Sequence, residues 1–303
     1  RATLLAARAT RVRPGRDDKV LVSWNAQLIR GLAMASRALG RADLAEAATG
    51  ALDFIRRSLW RDGRLLATAL GEQAHLGAYL DDHAYLLDAI LELQQVRVRT
   101  AELDFACELA QVMMDHFHDP QAGGFFFTAD DHEQLIHRSK VFADDATPAG
   151  NGIAALALQR LGHLLARPEW LAAAEGTLRA AWRGLEQHPQ GHVALLAALE
   201  ELIHPPQIVI LRGDATQLEE WRTQLARLYA PRLQQLFDCY GIPIARSAKA
   251  VTPADVARTS AEFGAPVVIK ILSPDITHKS DVGGVVLNLE DPAAAKAAAE
   301  AML

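Results

Sequence analysis

The sequence predicts a mainly α chain, in which helical hairpins stack into an inner and an outer ring and a shorter segment of alternating strands and helices follows. Three observations predict this. Residues 1–203 carry almost unbroken helical periodicity. Within them, helices that are apolar nearly all round alternate with amphipathic ones, and starts near Trp24, Tyr79, Pro148 and Gly191 recur at broadly similar intervals. At Pro205-Pro206 the rhythm changes to strand–helix alternation.

Each element has a local reason. Ser23 is the expected N-cap of "WNAQLIRGLAMASRAL", where Leu28, Leu32, Ala35 and Leu39 recur at helical spacing and Gly40 stops the helix. Asp43 to Leu59 is a second helix, and "WRDGRL" a turn. "AYLDDHAYLLDAILELQ" is apolar on nearly every side, which predicts a helix buried in a larger assembly. Ala101 to Phe117 is its partner. "GGFFFT" and "HEQLIHRSKVF" break the helical rhythm and predict a β-hairpin insertion. Helices resume at "TPAGNGIAALALQRLGHLL", with Thr147 as cap and Pro148 in the first turn, then at "PEWLAAAEGTLRAAWRGLE" and "GHVALLAALEEL". After residue 204, "QIVILRG" predicts a buried strand and "DATQLEEWRTQLARLYA" a helix capped by Asp214. "RLQQLFDCYGIPI" predicts an amphipathic helix ending at Gly241, and "TPADVARTSAEFG" a helix with a capping signal at Thr252 and Pro253. "PVVIKIL" and "GGVVLNL" read as strands and "DPAAAKAAAEAML" as a last helix.

Composition bounds the function classes. The 303 residues are half hydrophobic, enough for a sizeable core, and the length suits two domains. A formal charge of -6 gives no global pull toward nucleic acid or a membrane surface; the arginines among residues 1–16 are expected to be a solvated tail. Cys107 and Cys239 offer neither a disulfide framework nor a metal motif, which suits a reducing cytoplasm. No apolar run approaches the roughly 18 residues that span a bilayer. The chain opens on Arg1 and its first methionine is Met34, so a preceding piece is expected.

Polar residues gather where the inner helices begin: Trp24 and Asn25; Tyr79, Asp81, Asp82 and His83; Asp144, Asp145 and Asn151. Such starts converge on one mouth of a ring. Carboxylates, aromatics and amides there can stack a sugar ring and exchange protons with it, with Asp81, Asp82 and Asp145 as catalytic candidates and Trp24, Asn25, Tyr79, His83 and Asn151 as binding residues. Helix-dipole placement accounts for Asp81 and Asp82 equally well, at roughly 0.3–1 kcal/mol each. Asp144 and Asp145 could instead order a loop. His116 and His118, beside Asp115 and Asp119, have a strand's spacing and read as a solvated helix end rather than a metal site; His188 and His192 read as structural.

"KVLVSWNAQLIRGLA", "YLDDHAYLLDAILEL", "GGFFFT" and "DDATPAGNGIAALAL" together resemble the C-terminal helical region of thioredoxin-domain-containing proteins related to the spermatogenesis-associated thioredoxin-like protein, over about residues 1 to 230. The resemblance implies an (α/α) six-hairpin toroid like that of sugar epimerases and glycosidases, here incomplete with about seven helices. It also implies a thioredoxin-like domain ahead of this region; no Cys-x-x-Cys occurs here, so no thiol-redox role carries over. His83 stands where an aromatic residue is expected, and Ala26 where glycine is usual.

Lys270 lies in a strand of β-branched residues, followed by "SPDITHKSDVGG", whose Gly283-Gly284 can bring backbone N–H groups near a phosphate. No Walker loop is present. "YGIPI" and "FGAPVVIKILSPDITHKSDVGGVVLNL" resemble the start of the ATP-grasp domain of ADP-forming acyl-CoA synthetases, over about residues 232 to 303. This implies ATP and Mg as cofactors, with Lys270 on phosphate or adenine and His278, Lys279, Gly283 and Gly284 in a loop beside the nucleotide. The expected organisation is therefore a toroid at 1–204, its strand–helix tail at 205–231 and a partial α/β ATP-grasp segment at 232–303, joined near Tyr229 to Leu233. Such a fusion fragment is expected to lack partner segments at both ends, to bind a sugar-like or acyl small molecule if anything, and to be catalytically incomplete.

Overall fold

The structure is a computed structural model that describes residues 1–71, 73–133, 135–211, 215–226, 230, 232–237, 250–263, 267–270 and 285–302. The chain divides into two compact units, Arg1–Tyr240 and Gly241–Leu303.

The first unit opens with α1 (Ala2–Ala9), exposed along its whole length. The short strand β1 (Val20–Leu21) leads into α2 (Val22–Leu39), and α3 (Ala42–Leu59) returns antiparallel to it. Gly40 makes the reversal in the left-handed region, φ 64°, where a side chain would be strained. Strands β2 (Trp60–Arg61), β3 (Arg64–Leu70) and β4 (Gln73–Gly77) follow, all antiparallel, with β1 and β2 pairing along β3 and β4 on it as well. Asp62 and Gly63 both take positive φ, the tight hairpin turn that Asp-Gly favours. Next come α4 (Leu80–Gln94) with α5 (Thr100–His116), α6 (Gly150–Leu165) with α7 (Pro168–Gln187), and α8 (Val193–Ile203).

Packing sorts these helices into two layers. α2, α4, α6 and α8 lie side by side as an inner row, and α3, α5 and α7 each back the inner helix of their own hairpin. The fold is mainly α, with the toroid's inner and outer arrangement, as the alternation of apolar and amphipathic helices predicts. α4 is buried along nearly every residue, because it is flanked by α2 and α6 and backed by α5. Each fully buried aliphatic side chain there contributes about 1.5–3 kcal/mol. At the α6–α8 crossing, a Cβ on Gly152 would sit 2.6 Å from Ala194 Cβ and 2.9 Å from Leu195 N, so only glycine lets the two backbones approach this closely.

Three local expectations are corrected. Ser23 is inside α2, whose cap position is Leu21. Thr147 does not cap α6; Ala149 holds that position. Leu28 and Leu39, two of the apolar residues whose helical spacing marks this helix, are exposed, whereas Ala26, Ile29, Ala33 and Ser36 are buried. α2 stands at one end of the inner row, so only one flank has an inner neighbour. α8 stands at the other end and exposes Val193 and Ile203 in the same way. The "GGFFFT" region forms no hairpin among the described residues, only a single bridge between His118 and Phe125. Asn151 replaces the missing strand partner: its side chain accepts from Phe125 N–H (2.7 Å) and donates to Phe125 O and Val141 O (both 2.9 Å).

The remainder of the unit is β5 (Gln207–Leu211), α9 (Ala215–Ala226) and β6 (Leu233–Phe237). β6 is the start of the segment expected to be an amphipathic helix. It pairs parallel to β5, Gln207 opposite Leu233 through Leu211 opposite Phe237, so ladder hydrogen bonds override the helical spacing of its apolar residues. This pairing crosses the expected join at 229–233. Asp214 and Cys239 lie outside the described residues. Cys107 is a free, partly buried thiol.

The second unit contains α10 (Pro253–Phe263), β7 (Val267–Lys270), β8 (Val285–Leu289) and α11 (Pro292–Met302). β7 and β8 are antiparallel, α11 packs on both, and α10 packs on α11. The predicted capping signal is realised: Asp255 N–H donates to Thr252 Oγ1 (3.1 Å) while Thr252 N–H donates to Asp255 Oδ2 (3.2 Å). Asp291 caps α11 through Ala294 N–H at 2.7 Å.

Candidate functional site

The N-terminal ends of the four inner helices lie next to one another, and three aspartates tie them together. Asp82 accepts Ser23 N–H on Oδ1 and Tyr79 N–H on Oδ2, both at 2.9 Å, joining the starts of α2 and α4. Asp81 lies against Gly150, so closely that a Cβ on that residue would overlap its Oδ1, and this joins α4 to α6. Asp144 accepts Ala149 N–H (2.8 Å) and Ala194 N–H (3.0 Å), joining α6 to α8. Each uses a carboxylate to satisfy N–H groups that a helix start leaves without an internal partner.

Burial of these acids has an electrostatic consequence. Burial is the main cause that pushes Asp81 up to about 6, with the Asp82 charge adding to it and the Gly150 N–H opposing. Burial likewise raises Asp82 to about 6 against the hydrogen bonds from Tyr79 and Ser23. Between the ordinary carboxylate value, 3.8, and about 6, the folded chain retains protons that the unfolded chain has released. That stabilising contribution is complete below 3.8 and is lost as pH rises through 6. Stability set by these two groups should therefore increase on titration from pH 7 to pH 5, read from urea midpoints. Asp82→Asn should flatten the profile, and a parent profile that falls over that range would contradict the assignment.

Beside the helix starts, a cavity of about 650 Å³ opens among α2, α4, α6 and α8. Gln27, Arg30, Tyr85, Asp88, Asp144, Asp145, Thr147 and Gln190 supply its polar lining. Tyr85 is buried and donates its hydroxyl to Pro148 O; burial pushes its pKa up to about 12, so it stays a neutral donor. Asp145 is exposed. Below it runs a row of alternating charge, one residue from each inner helix. Arg30 Nε lies 2.6 Å from Asp88, Arg160 Nη1 3.5 Å from the same carboxylate, and Arg160 Nη2 2.5 Å from Glu201. The Asp88 side chain is 2% exposed and that of Arg160 11%. Burial opposes the charge on Arg160, but its hydrogen bonds to Glu201 and the charges of Asp88, Glu201 and Glu92 outweigh it and raise its pKa.

Of the residues predicted from the sequence, Asp144 and Asp145 line this cavity and the others stand elsewhere. Asp81 and Asp82 are at the helix starts, as described. Asn25 donates to Leu21 O at 2.8 Å, and Trp24 is 67% exposed on the outside of α2. Tyr79 stacks on Phe127, ring centroids 4.9 Å apart. His83 is buried, its Nδ1 2.9 Å from Tyr79 O; burial pulls its pKa to about 4, so the ring is neutral. Asn151 holds the 125–141 loop. His192 Nδ1 contacts His188 O at 2.8 Å, the structural role expected of that pair. Sequence reasoning missed Arg30, Tyr85, Asp88, Arg160 and Glu201. A signal existed: a charged residue inside a helix otherwise apolar all round must find a buried counter-charge. Lys270 closes strand β7, while His278, Lys279, Gly283 and Gly284 lie outside the described residues.

Comparison with known proteins finds two similarities along the chain. Residues 219–303 match the ATP-grasp domain family. The chain is also 27% identical over 222 residues to Spermatogenesis-associated protein 20 of Homo sapiens, which covers 70% of this chain and 28% of that protein. One chain carries likeness to two separate families. On the ATP-grasp side it is 36% identical over 81 residues to the Acetate–CoA ligase [ADP-forming] I subunit beta of Pyrococcus furiosus, covering 27% of this chain and 35% of that one. The chain thus spans about a third or less of these curated relatives. Among solved structures, cellobiose 2-epimerase from Bacillus thermoamylovorans aligns with TM-score 0.45 and 12% identity, over 55% of this chain and 45% of that chain. No helix among the described residues is long and apolar enough to cross a membrane.

Proposed function

We propose that the helical unit is a binding module for a small polyhydroxylated ligand, held in the cavity among the inner helices, and that it is joined to a nucleotide-binding segment of the ADP-forming acyl-CoA ligase type. One observation carries the first half: among the acids lining the cavity, Asp144 is occupied by backbone N–H groups and Asp88 by Arg30 and Arg160, which leaves Asp145 as the exposed acid there. A sugar hydroxyl can donate to Asp145 or to the free lone pair of the Tyr85 hydroxyl and accept from Gln27 or Gln190. Asp81 and Asp82 then serve as clasps, and proton transfer to an aldose, if the module performs it, falls to Asp145. Isothermal titration with a panel of aldoses tests this. Saturable binding weakened about tenfold by Gln27→Ala or Asp145→Asn is expected, that is roughly one hydrogen bond lost. Absence of binding by every aldose would remove the proposal, and turnover unaffected by Asp145→Asn would remove Asp145 from it.

The second half rests on the ATP-grasp match and on the strand position of Lys270. When bound, ATP with Mg would supply an activated phosphoryl group, and the lysine would hold negative phosphate or adenine. Equilibrium dialysis with ATP and magnesium should show binding that Lys270→Ala weakens. Binding indifferent to that change would dismiss the role of Lys270. The reading of the whole is a catalytically incomplete cytoplasmic fusion, supported by two dissimilar likenesses on one backbone.

A further inference from the structure

Away from the cavity, the loop after α5 folds back over the end of its own helix. It brings His116, Asp130 and Asp131 together, so that one metal-ligating atom from each lies within 4.8 Å of the others. His116 Nδ1 is 2.8 Å from Asp130 Oδ1, and Asp130 N–H donates to His116 O at 3.0 Å, which fixes the two residues relative to each other. Asp131 meets Arg64 in a two-pronged ion pair. These pairings alone would explain the cluster as simple charge neutralisation. They leave two polar atoms unexplained. Thr128, 7% exposed, and His132 line a hollow of about 400 Å³ together with Asp131, and Thr128 Oγ1 and His132 Nε2 are buried there without a hydrogen-bond partner among the described residues. A buried polar atom without a partner is unfavourable unless water or a ligand reaches it.

We propose that His116, Asp130 and Asp131 bind a divalent first-row transition ion, with Thr128 and His132 offering partners to the waters that complete its shell. One imidazole and two carboxylates suit zinc, cobalt, nickel or manganese better than magnesium or calcium, which favour all-oxygen shells. Ligands stand about 2.0–2.2 Å from zinc, so donors on one ion are separated by up to roughly 4.4 Å, and small side-chain rotations close the present spacing. Binding requires a bare His116 Nδ1. The ion therefore replaces the hydrogen bond between His116 and Asp130 and competes with Arg64 for Asp131. The neighbouring His118 does not join; it turns onto Phe125, ring centroids 5.2 Å apart. The site is independent of the proposed function.

Isothermal titration of the full chain with zinc chloride at pH 7, and separately with magnesium chloride, tests the site. The expected result is one equivalent of zinc and no comparable magnesium binding. His116→Ala and the near-isosteric Asp130→Asn should each weaken zinc binding by about tenfold or more, while His163→Ala on α6 leaves it unchanged. Arg64→Ala should tighten it by releasing Asp131. Circular dichroism spectra matching the parent establish that each variant is folded. The site is overturned by absence of a one-equivalent zinc isotherm, by equal magnesium binding, by undiminished affinity in folded Asp130→Asn, or by weaker affinity in Arg64→Ala.

Discussion

Replacing Arg160 with methionine should cost the helical unit about 3–5 kcal/mol, the usual penalty for removing one partner of a buried ion pair. Arg160 sits between two acids, Asp88 on α4 and Glu201 on α8, and neither is exposed enough to regain water. Methionine fills much of the same volume, so the loss reflects stranded charge rather than a void. The midpoint of urea unfolding, followed by far-UV circular dichroism, should fall with little change in slope. The double change Arg160→Met, Glu201→Gln should recover a large part of the loss, because Asp88 keeps Arg30 as its partner and Glu201 no longer carries a bare charge. A single variant as stable as the parent would mean that Asp88 and Glu201 are already solvated, and the alternating charge row would lose its structural role.

Asp144→Ala and Asp145→Ala, adjacent in sequence, should behave differently. Asp144 satisfies one N–H at the start of α6 and another at the start of α8. Loss of a capping side chain costs about 0.5–2 kcal/mol, so removing both contacts costs about 1–4 kcal/mol. Asp145 is exposed, and its replacement should change stability by less than about 0.5 kcal/mol. Ligand binding should show the opposite order in variants that remain folded: Asp145→Ala weakens it directly, and Asp144→Ala only by loosening the helix starts. Paired thermal melts and aldose titrations separate the two. Equal losses of stability would mean that Asp144 is no special clasp.

The two results address the same ambiguity. An aspartate at a helix start satisfies backbone donors or acts on a ligand, and both uses favour the same residue at the same place. The motif "YLDDHAYLLDAILEL" therefore marked where the inner helices begin without assigning work to either acid. Tertiary structure separates the uses, because it decides which oxygen atoms are already occupied. Asp82 has both taken, while Asp145 has space in front of it.

By itself the sequence determined the helical hairpins, the layer of each helix, the change of pattern after Pro205-Pro206 and the second unit's strands and helices. These follow from local periodicity and capping, which neighbouring residues carry. Tertiary structure alone decided that Leu28 and Leu39 face outward, that Leu233–Phe237 pairs as a strand, that Asn151 grips a loop, and that Arg30, Asp88, Arg160 and Glu201 form one charged row. Each of those outcomes depends on which distant segment lies alongside. Burial of a face, pairing of a ladder and neutralisation of a charge are properties of two surfaces in contact, and no single stretch of chain contains both.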